Sequence, residues 1–420
     1  MSTFARELVC RVCGATQPLG PTYVCEECFG PLEVRYDYEA ISSQLRREEI
    51  AKGPLSLWRY RDLLPLVRED SQPVDIGTGM TPLIRADRLA TRLGLRHLYI
   101  KNDAVNPSYS FKDRAVSVAT TAAHDMGFDT LACASTGNLA NSVAAHAARA
   151  GMRAVVFIPA NLEANKIVAS GVYGPTIVAV DGTYDDVNRL ATLVAEEYGW
   201  AFVNVNLRPF YAEGAKTLAY EVAEALGWQA PDHIIAPMAS GALLCKIAKG
   251  FRELAKVGLM ESKRVRISGA QARGCSPIVT ALEQGTDQIV PQTPNTIAKS
   301  LAIGTPADGP FAIHEIRSSN GHGVAVSDQE IVEGVKLLAE TEGIFTETAG
   351  GVTVAALKRL AESGAIPPDE VVVVYITGNG LKTPDALDGH LNNLVTVGPS
   401  LLELERALGT RHYDAEPVTV

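Results

Sequence analysis

The chain has 420 residues, 46% hydrophobic and 20% charged, which is enough apolar content for two or three domains with substantial cores and excludes wholesale disorder. Its 38 Lys and Arg against 48 Asp and Glu give a net charge of −10 with no long run of one sign, so nucleic acid is not an expected partner. The longest apolar runs, such as Val371–Ile376, are strand-length and far short of the ~20 residues of a membrane helix. Arg6 and Glu7 interrupt any apolar leader at the N-terminus. Four of the seven cysteines lie in the first 28 residues, and Cys133, Cys245 and Cys275 stand singly in apolar surroundings. That is no disulfide framework, and a soluble protein of the reducing cytoplasm, with no membrane partner, is expected.

In chain order, residues 1 to about 40 read as a separate small module. Cys10-x-x-Cys13 and Cys25-x-x-Cys28 are eleven residues apart, and Gly14 and Gly30 let the chain turn beneath a tetrahedral ion. Cys10, Cys13, Cys25 and Cys28 are therefore expected to bind zinc in a ribbon too small to own a core. Four thiolates close the coordination sphere, which makes the zinc structural, and three Arg against six Asp and Glu argue against nucleic-acid binding. Residues 41–95 and 285–330 are less regular and hold several Pro and Gly, as connections and rims do. From His97 onward, β-branched runs alternate with amphipathic ones: strands at 97–100, 131–134, 154–158, 176–180, 201–205, 234–236, 265–267 and 371–376, with helices at 111–126, 138–150, 165–173, 184–198, 213–226 and 243–254 between them. Such alternation predicts mainly parallel sheets covered on both faces, with too many strands for one sheet.

Three kinds of motif sit between these elements. Ser110 and Asp113 form a capping-box pattern that puts Lys112 in the first turn of a helix. It is either a solvated lysine near a helix start or an amine whose affinity for its proton is lowered by the helix dipole and Arg114, suited to a Schiff base. Ser135-Thr136-Gly137-Asn138 and Ala239-Ser240-Gly241-Ala242 each follow a strand and open a helix, the form of an anion site. Val371–Ile376 delivers Thr377 to the glycine-bearing stretch Gly378-Asn379-Gly380. Several such turns at strand ends suggest one ligand crevice.

In this order, and with Gly79-Met80-Thr81-Pro82-Leu83 ahead of them, the motifs resemble the fold-type II pyridoxal-phosphate enzymes, most nearly the threonine synthases, over residues 76 to 388. The resemblance implies two three-layer α/β domains of the tryptophan synthase β-like class behind the ribbon: 41–104 and 206–420 as a large cofactor domain, 105–205 as a small α/β domain. It also implies a homodimer acting on a small amino-acid substrate. Lys112 would hold pyridoxal 5′-phosphate as an internal aldimine and then move the α-proton. Asn138 would bond the cofactor's 3′-oxygen, Ala239, Ser240, Gly241 and Ala242 would cradle its phosphate, and Thr377 would face its ring nitrogen. Ser135, Thr136 and Gly137 would receive the substrate carboxylate. The implied reaction converts O-phosphohomoserine and water to threonine and phosphate.

The chain departs from the family's pattern at several points. Tyr109 stands for a common Gly, Leu139-Ala140-Asn141-Ser142 replaces T-S-A-S, and Glu347-Thr348-Ala349-Gly350-Gly351 replaces E-P-A-S-A. In Asn204–Tyr211 the phosphate-holding Ser and Arg of the family are out of register, and Arg208 is the substitute expected from a shifted position. Without it, the alternative is β-replacement or lyase chemistry on another activated amino acid such as O-phosphoserine.

Overall fold

The computed structural model describes residues 3–409 except 136, 161–163, 183 and 391–393, with the backbone alone for 164–167, 184 and 185. Its strands are β1 (Ala5–Cys10), β2 (Thr16–Gln17), β3 (Leu32–Tyr36), β4 (Leu83–Arg85), β5 (His97–Asn102), β6 (Thr130–Ala134), β7 (Arg153–Pro159), β8 (Thr176–Val180), β9 (Ala201–Phe202), β10 (His233–Pro237), β11 (Arg266–Ala272), β12 (Gly323–Val326) and β13 (Val371–Ile376). They form a ribbon β2-β1-β3, a six-stranded sheet β12-β11-β10-β13-β5-β4 and a four-stranded sheet β8-β7-β6-β9. Both large sheets are parallel apart from the edge strand β4.

The central strand β13 shows why its sequence is a continuous apolar run. Helices cover both faces of its sheet, so both sets of alternating side chains are buried. Val373 and Tyr375 enter one core with Leu218, Tyr220, Ile247 and Phe251. Val372, Val374 and Ile376 enter the other with Leu98, Ile100, Val352 and Leu357. The smaller sheet divides the same way, Leu131 and Cys133 facing the helices Lys112–Asp125 and Asn138–Ala150, and Ala132 and Ala134 facing Val187 and Ala191 of Tyr184–Tyr198.

Three expectations are corrected. The strand at 201–205 stops at Phe202, because Asn206 Oδ1 accepts from Phe202 N–H at 2.9 Å while its amide donates to Trp200 O at 3.0 Å, folding the chain back. The helix expected at 213–226 is broken into Arg208–Glu213, a tight turn Gly214–Lys216, and Thr217–Ala225. Residues 285–330 contain the helix Gly309–Ser318 and the strand β12, and the helices Asp328–Glu342 and Thr348–Glu362 follow. The ribbon, as expected of a segment too small to own a core, shares one with the rest of the chain. Phe4, Leu8, Val34 and Tyr36 belong to the same apolar core as Leu218 and Ile247. Polar anchors add to it, the Tyr36 hydroxyl donating to Glu213 Oε2 at 2.8 Å and Lys249 pairing with Glu33 at 3.5 Å. No helix among the described residues is long and apolar enough to cross a membrane.

Candidate active site

Lys112 is the first residue of its helix, as expected, but Ser110 does not cap it. The Ser110 hydroxyl is buried without a partner among the described residues, while the Asp113 carboxylate reaches back to Ser108, taking its N–H at 2.7 Å and its hydroxyl. The cap thus moves two residues upstream. This pulls the chain into a sharp bend at Tyr109, whose φ of +64° explains why a glycine is common there. The ring that replaces that glycine is 55% exposed. Phe111 N–H donates to Thr377 O at 2.9 Å and Asn379 N–H to Tyr109 O at 3.1 Å, so the lysine motif is laced to the loop after β13. The Lys112 amine donates to the Tyr211 hydroxyl at 2.7 Å and lies over the rings of Phe111 and Tyr211 at 5.0 and 5.4 Å.

Arg114 does not stand free beside that amine. It is wholly buried, forked onto Asp103 and Glu221, and Lys101 shares Glu221. Burial by itself would raise the Glu221 carboxyl, but Arg114 and Lys101 hold it down at about 2. Glu221 also accepts from Met80 N–H at 2.8 Å and Thr81 N–H at 3.2 Å, so this neutral cluster of two cations and two carboxylates sets the position of the 79–83 segment.

Two of the remaining turns lie on one edge of the six-stranded sheet, and the third, on the other sheet, reaches Glu347 beside them through Asn138. The parallel pairing Ile235↔Val374 and Ile376↔Asn102 brings the C-terminal ends of β10, β13 and β5 side by side. Ser240 and Gly241 follow β10, and Gly241, with φ +94°, caps the 15-residue helix Ala242–Lys256 without a side chain of its own. Helix N-termini of this form bind anions, and here Ala242 N–H donates to Ser240 Oγ at 3.4 Å. Ala239 and Ala242 flank it. Thr377 is buried at the end of β13. Ser135 follows β6, Gly137 caps the helix Asn138–Ala150 and donates to Ser135 Oγ at 3.4 Å, and Thr136 lies outside the described residues. Asn138 Nδ2 donates to Glu347 Oε2 at 2.9 Å.

Glu347 and Tyr211 are the residues that sequence reasoning missed. Glu347 is 3% exposed, and its N–H donates to Gly378 O at 3.0 Å. A Cβ on Gly378 would fall 2.4 Å from its carboxylate, so the glycine makes its room. Burial raises this carboxyl, opposed by Asn138, Lys382 and Lys112. The only sequence signal was that both residues lie in stretches departing from the family's pattern.

Arg208, the expected phosphate holder, is paired with a carboxylate. Its Nη2 donates to Asp308 Oδ2 at 2.7 Å, three residues from Tyr211 on the same short helix. The four cysteines lie apart on the ribbon, their sulfurs within 4.8 Å of one another, with Cys10–Cys28 and Cys13–Cys25 at 3.4 and 3.7 Å. Four thiolates about 2.3 Å from a tetrahedral ion stand about 3.8 Å apart, so the set fits zinc.

Comparison with known proteins matches residues 74–378 to a family described as pyridoxal-phosphate dependent enzymes. Among curated proteins, a threonine synthase of Methanocaldococcus jannaschii is 40% identical over 379 residues, 90% of this chain and 93% of its own. One of Methanosarcina acetivorans is 38% identical over 384 residues, with the same coverage. Among solved structures, threonine deaminase isoform 2 of Solanum lycopersicum has the same fold, with a TM-score of 0.63 at 22% identity over 73% of this chain and 82% of its own. The chain belongs to the threonine synthase family of pyridoxal-phosphate dependent enzymes.

Proposed function

We propose that the protein converts O-phosphohomoserine and water to threonine and phosphate. The observation that carries this reading is the likeness to threonine synthases over nearly the whole length of both chains. The turn at Gly241 and the amine of Lys112 on one sheet edge fit pyridoxal 5′-phosphate, which when bound draws electrons from the substrate's α-carbon. Lys112 would bind it covalently and afterwards carry the α-proton on Nζ, with the Tyr211 hydroxyl holding that amine in place. Amides of Ala239, Ser240, Gly241 and Ala242 would take its phosphate, Asn138 its 3′-oxygen and the Thr377 hydroxyl its ring nitrogen. An uncharged hydroxyl there leaves the nitrogen unprotonated and favours elimination over transamination. Ser135, Thr136 and Gly137 would hold the substrate carboxylate. Arg208 would meet the leaving phosphate with the donors that Asp308 does not occupy. The sheet β8-β7-β6-β9 reads as the core of a small domain 105–205 and the six-stranded sheet as that of the large domain 41–104 with 206–420. Zinc on Cys10, Cys13, Cys25 and Cys28 would be structural, since all four positions are protein thiolates.

The second reading is replacement or lyase chemistry on another activated amino acid such as O-phosphoserine, whose phosphate leaves from the β-carbon. A single assay separates the two. The purified protein is incubated with O-phosphohomoserine or with O-phosphoserine, and released phosphate and the amino acid formed are measured. Threonine from the first substrate alone is expected, lost in Lys112→Ala together with the borohydride-sensitive absorbance of the cofactor. Phosphate released only from O-phosphoserine would transfer the assignment to the second reading.

A further inference from the structure

One ribbon side chain, Arg11, reaches toward the turn after β10. Arg11 lies between the first two cysteines, on a knuckle tied down by Val12 N–H and Cys13 N–H to Cys10 Sγ at 3.4 and 3.5 Å and by Arg11 N–H to Pro31 O at 3.0 Å. From that base its guanidinium sits 3.7 Å above the Phe311 ring, and Nη1 donates to Asp308 Oδ1 at 3.1 Å. Arg208 holds the other oxygen of the same carboxylate. The Asp308 side chain is only 8% exposed, so it is a largely desolvated anion gripped between two guanidinium groups from different parts of the chain.

Asp308 also stands at the N-cap of the helix Gly309–Ser318, yet its carboxylate makes no cap bond. Aspartate is among the best capping residues, and here its side chain is diverted to the arginines. Its backbone faces the other way. Asp308 N–H donates to Ser240 O at 3.0 Å, and its carbonyl oxygen lies 3.0 Å from where a Cβ on Gly241 would be. One residue therefore joins the cysteine knuckle to the turn after β10.

We propose that Arg11 and Asp308 are positioning residues for the 239–242 turn: Arg11 fixes Asp308 from the ribbon, and Asp308 fixes the turn in the shape that holds the cofactor's phosphate. The inference rests on the reading that this turn receives that phosphate. Neither side chain touches the reacting atoms. Their effect is on how firmly the phosphate is held, and it is specific to the phosphate.

The test titrates cofactor-free protein with pyridoxal 5′-phosphate and, separately, with pyridoxal, which lacks the phosphate, following absorbance. Arg11→Ala and Asp308→Asn should weaken pyridoxal phosphate about tenfold or more while changing pyridoxal by less than about twofold, coupled sites typically shifting affinity about 5- to 150-fold. Arg11→Lys should recover part of the loss, since it keeps the charge but not the fork or the stacking. Equal weakening of both ligands, as general loosening of the fold would produce, overturns the proposal, and so does no change in either. Gly241→Ala distinguishes that failure from failure of the underlying reading. If Gly241→Ala alone removes the preference for the phosphate, the turn is the phosphate site and Arg11 does not set it. If no variant alters the preference, the phosphate lies elsewhere.

Discussion

Glu221→Gln tests the buried charge cluster beneath Lys112. The wild-type carboxylate accepts from Lys101, from both terminal nitrogens of Arg114 and from two backbone N–H groups, and its side chain is 2% exposed. Two cations and two carboxylates cancel. Glutamine leaves a buried net positive charge and turns an NH₂ donor toward groups that are themselves donors, and breaking a buried pair in this way costs about 3–5 kcal/mol. Proton linkage gives an independent figure. The carboxyl is held at about 2 against a usual 4.5, so its contribution is fully present above pH 4.5 and is lost as pH falls toward 2. A difference of about 2.5 pH units at about 1.36 kcal/mol each is about 3 kcal/mol, in agreement. Urea unfolding at pH 7 should therefore show Glu221→Gln destabilised by about 3–5 kcal/mol, the gap narrowing as pH is lowered through 4.5. A loss under about 1 kcal/mol, or a gap that does not change with pH, would refute the reasoning, since most surface substitutions fall within about 0.5 kcal/mol.

Three further outcomes are expected. Glu347→Gln removes a carboxyl that burial raises; the wild type loses stability as pH rises above the usual 4.5, so the variant should melt a few degrees higher at pH 8 and show no advantage at pH 4. An advantage that persists unchanged at pH 4 would contradict this. Tyr211→Phe deletes the acceptor on Lys112 and should lower kcat/KM about tenfold or more with cofactor content unaltered, unchanged kinetics counting against a part for the hydroxyl in catalysis. Zinc analysis should find about one ion per chain, and Cys10→Ser should lose it and lower the melting temperature, because the ribbon shares its core with Leu218 and Ile247. Full stability of a metal-free wild type would dispose of the structural role.

What the chain encodes locally was legible in its order of residues. Hydrophobic period distinguishes the buried runs 131–134 and 371–376 from the amphipathic runs between them, and a run of four consecutive valines needs no partner to declare a strand buried on both faces. Cysteine spacing marks the four sulfurs that the fold gathers, and small residues after a strand mark the turn at 239–242. Lys112 at a helix start was readable for the same reason, although its cap was not. Spacing pairs Asp113 with Ser110, three residues before it, but in the fold, where Phe111 N–H pairs with Thr377 O, its carboxylate goes to Ser108 instead.

Everything that joins distant segments was decided by tertiary structure. Asn138 meets Glu347 across 209 positions, Lys112 meets Tyr211 across 99, and Arg11 meets Asp308 across 297. Those meetings follow from the strand order β10-β13-β5, in which β13 inserts between strands far earlier in the chain and aligns their C-terminal ends. A period of 2 or 3.6 residues specifies which face of an element is apolar. It carries no information about which other element that face will meet, and so Arg114, Glu347 and Arg11 acquire their partners only when the sheets assemble.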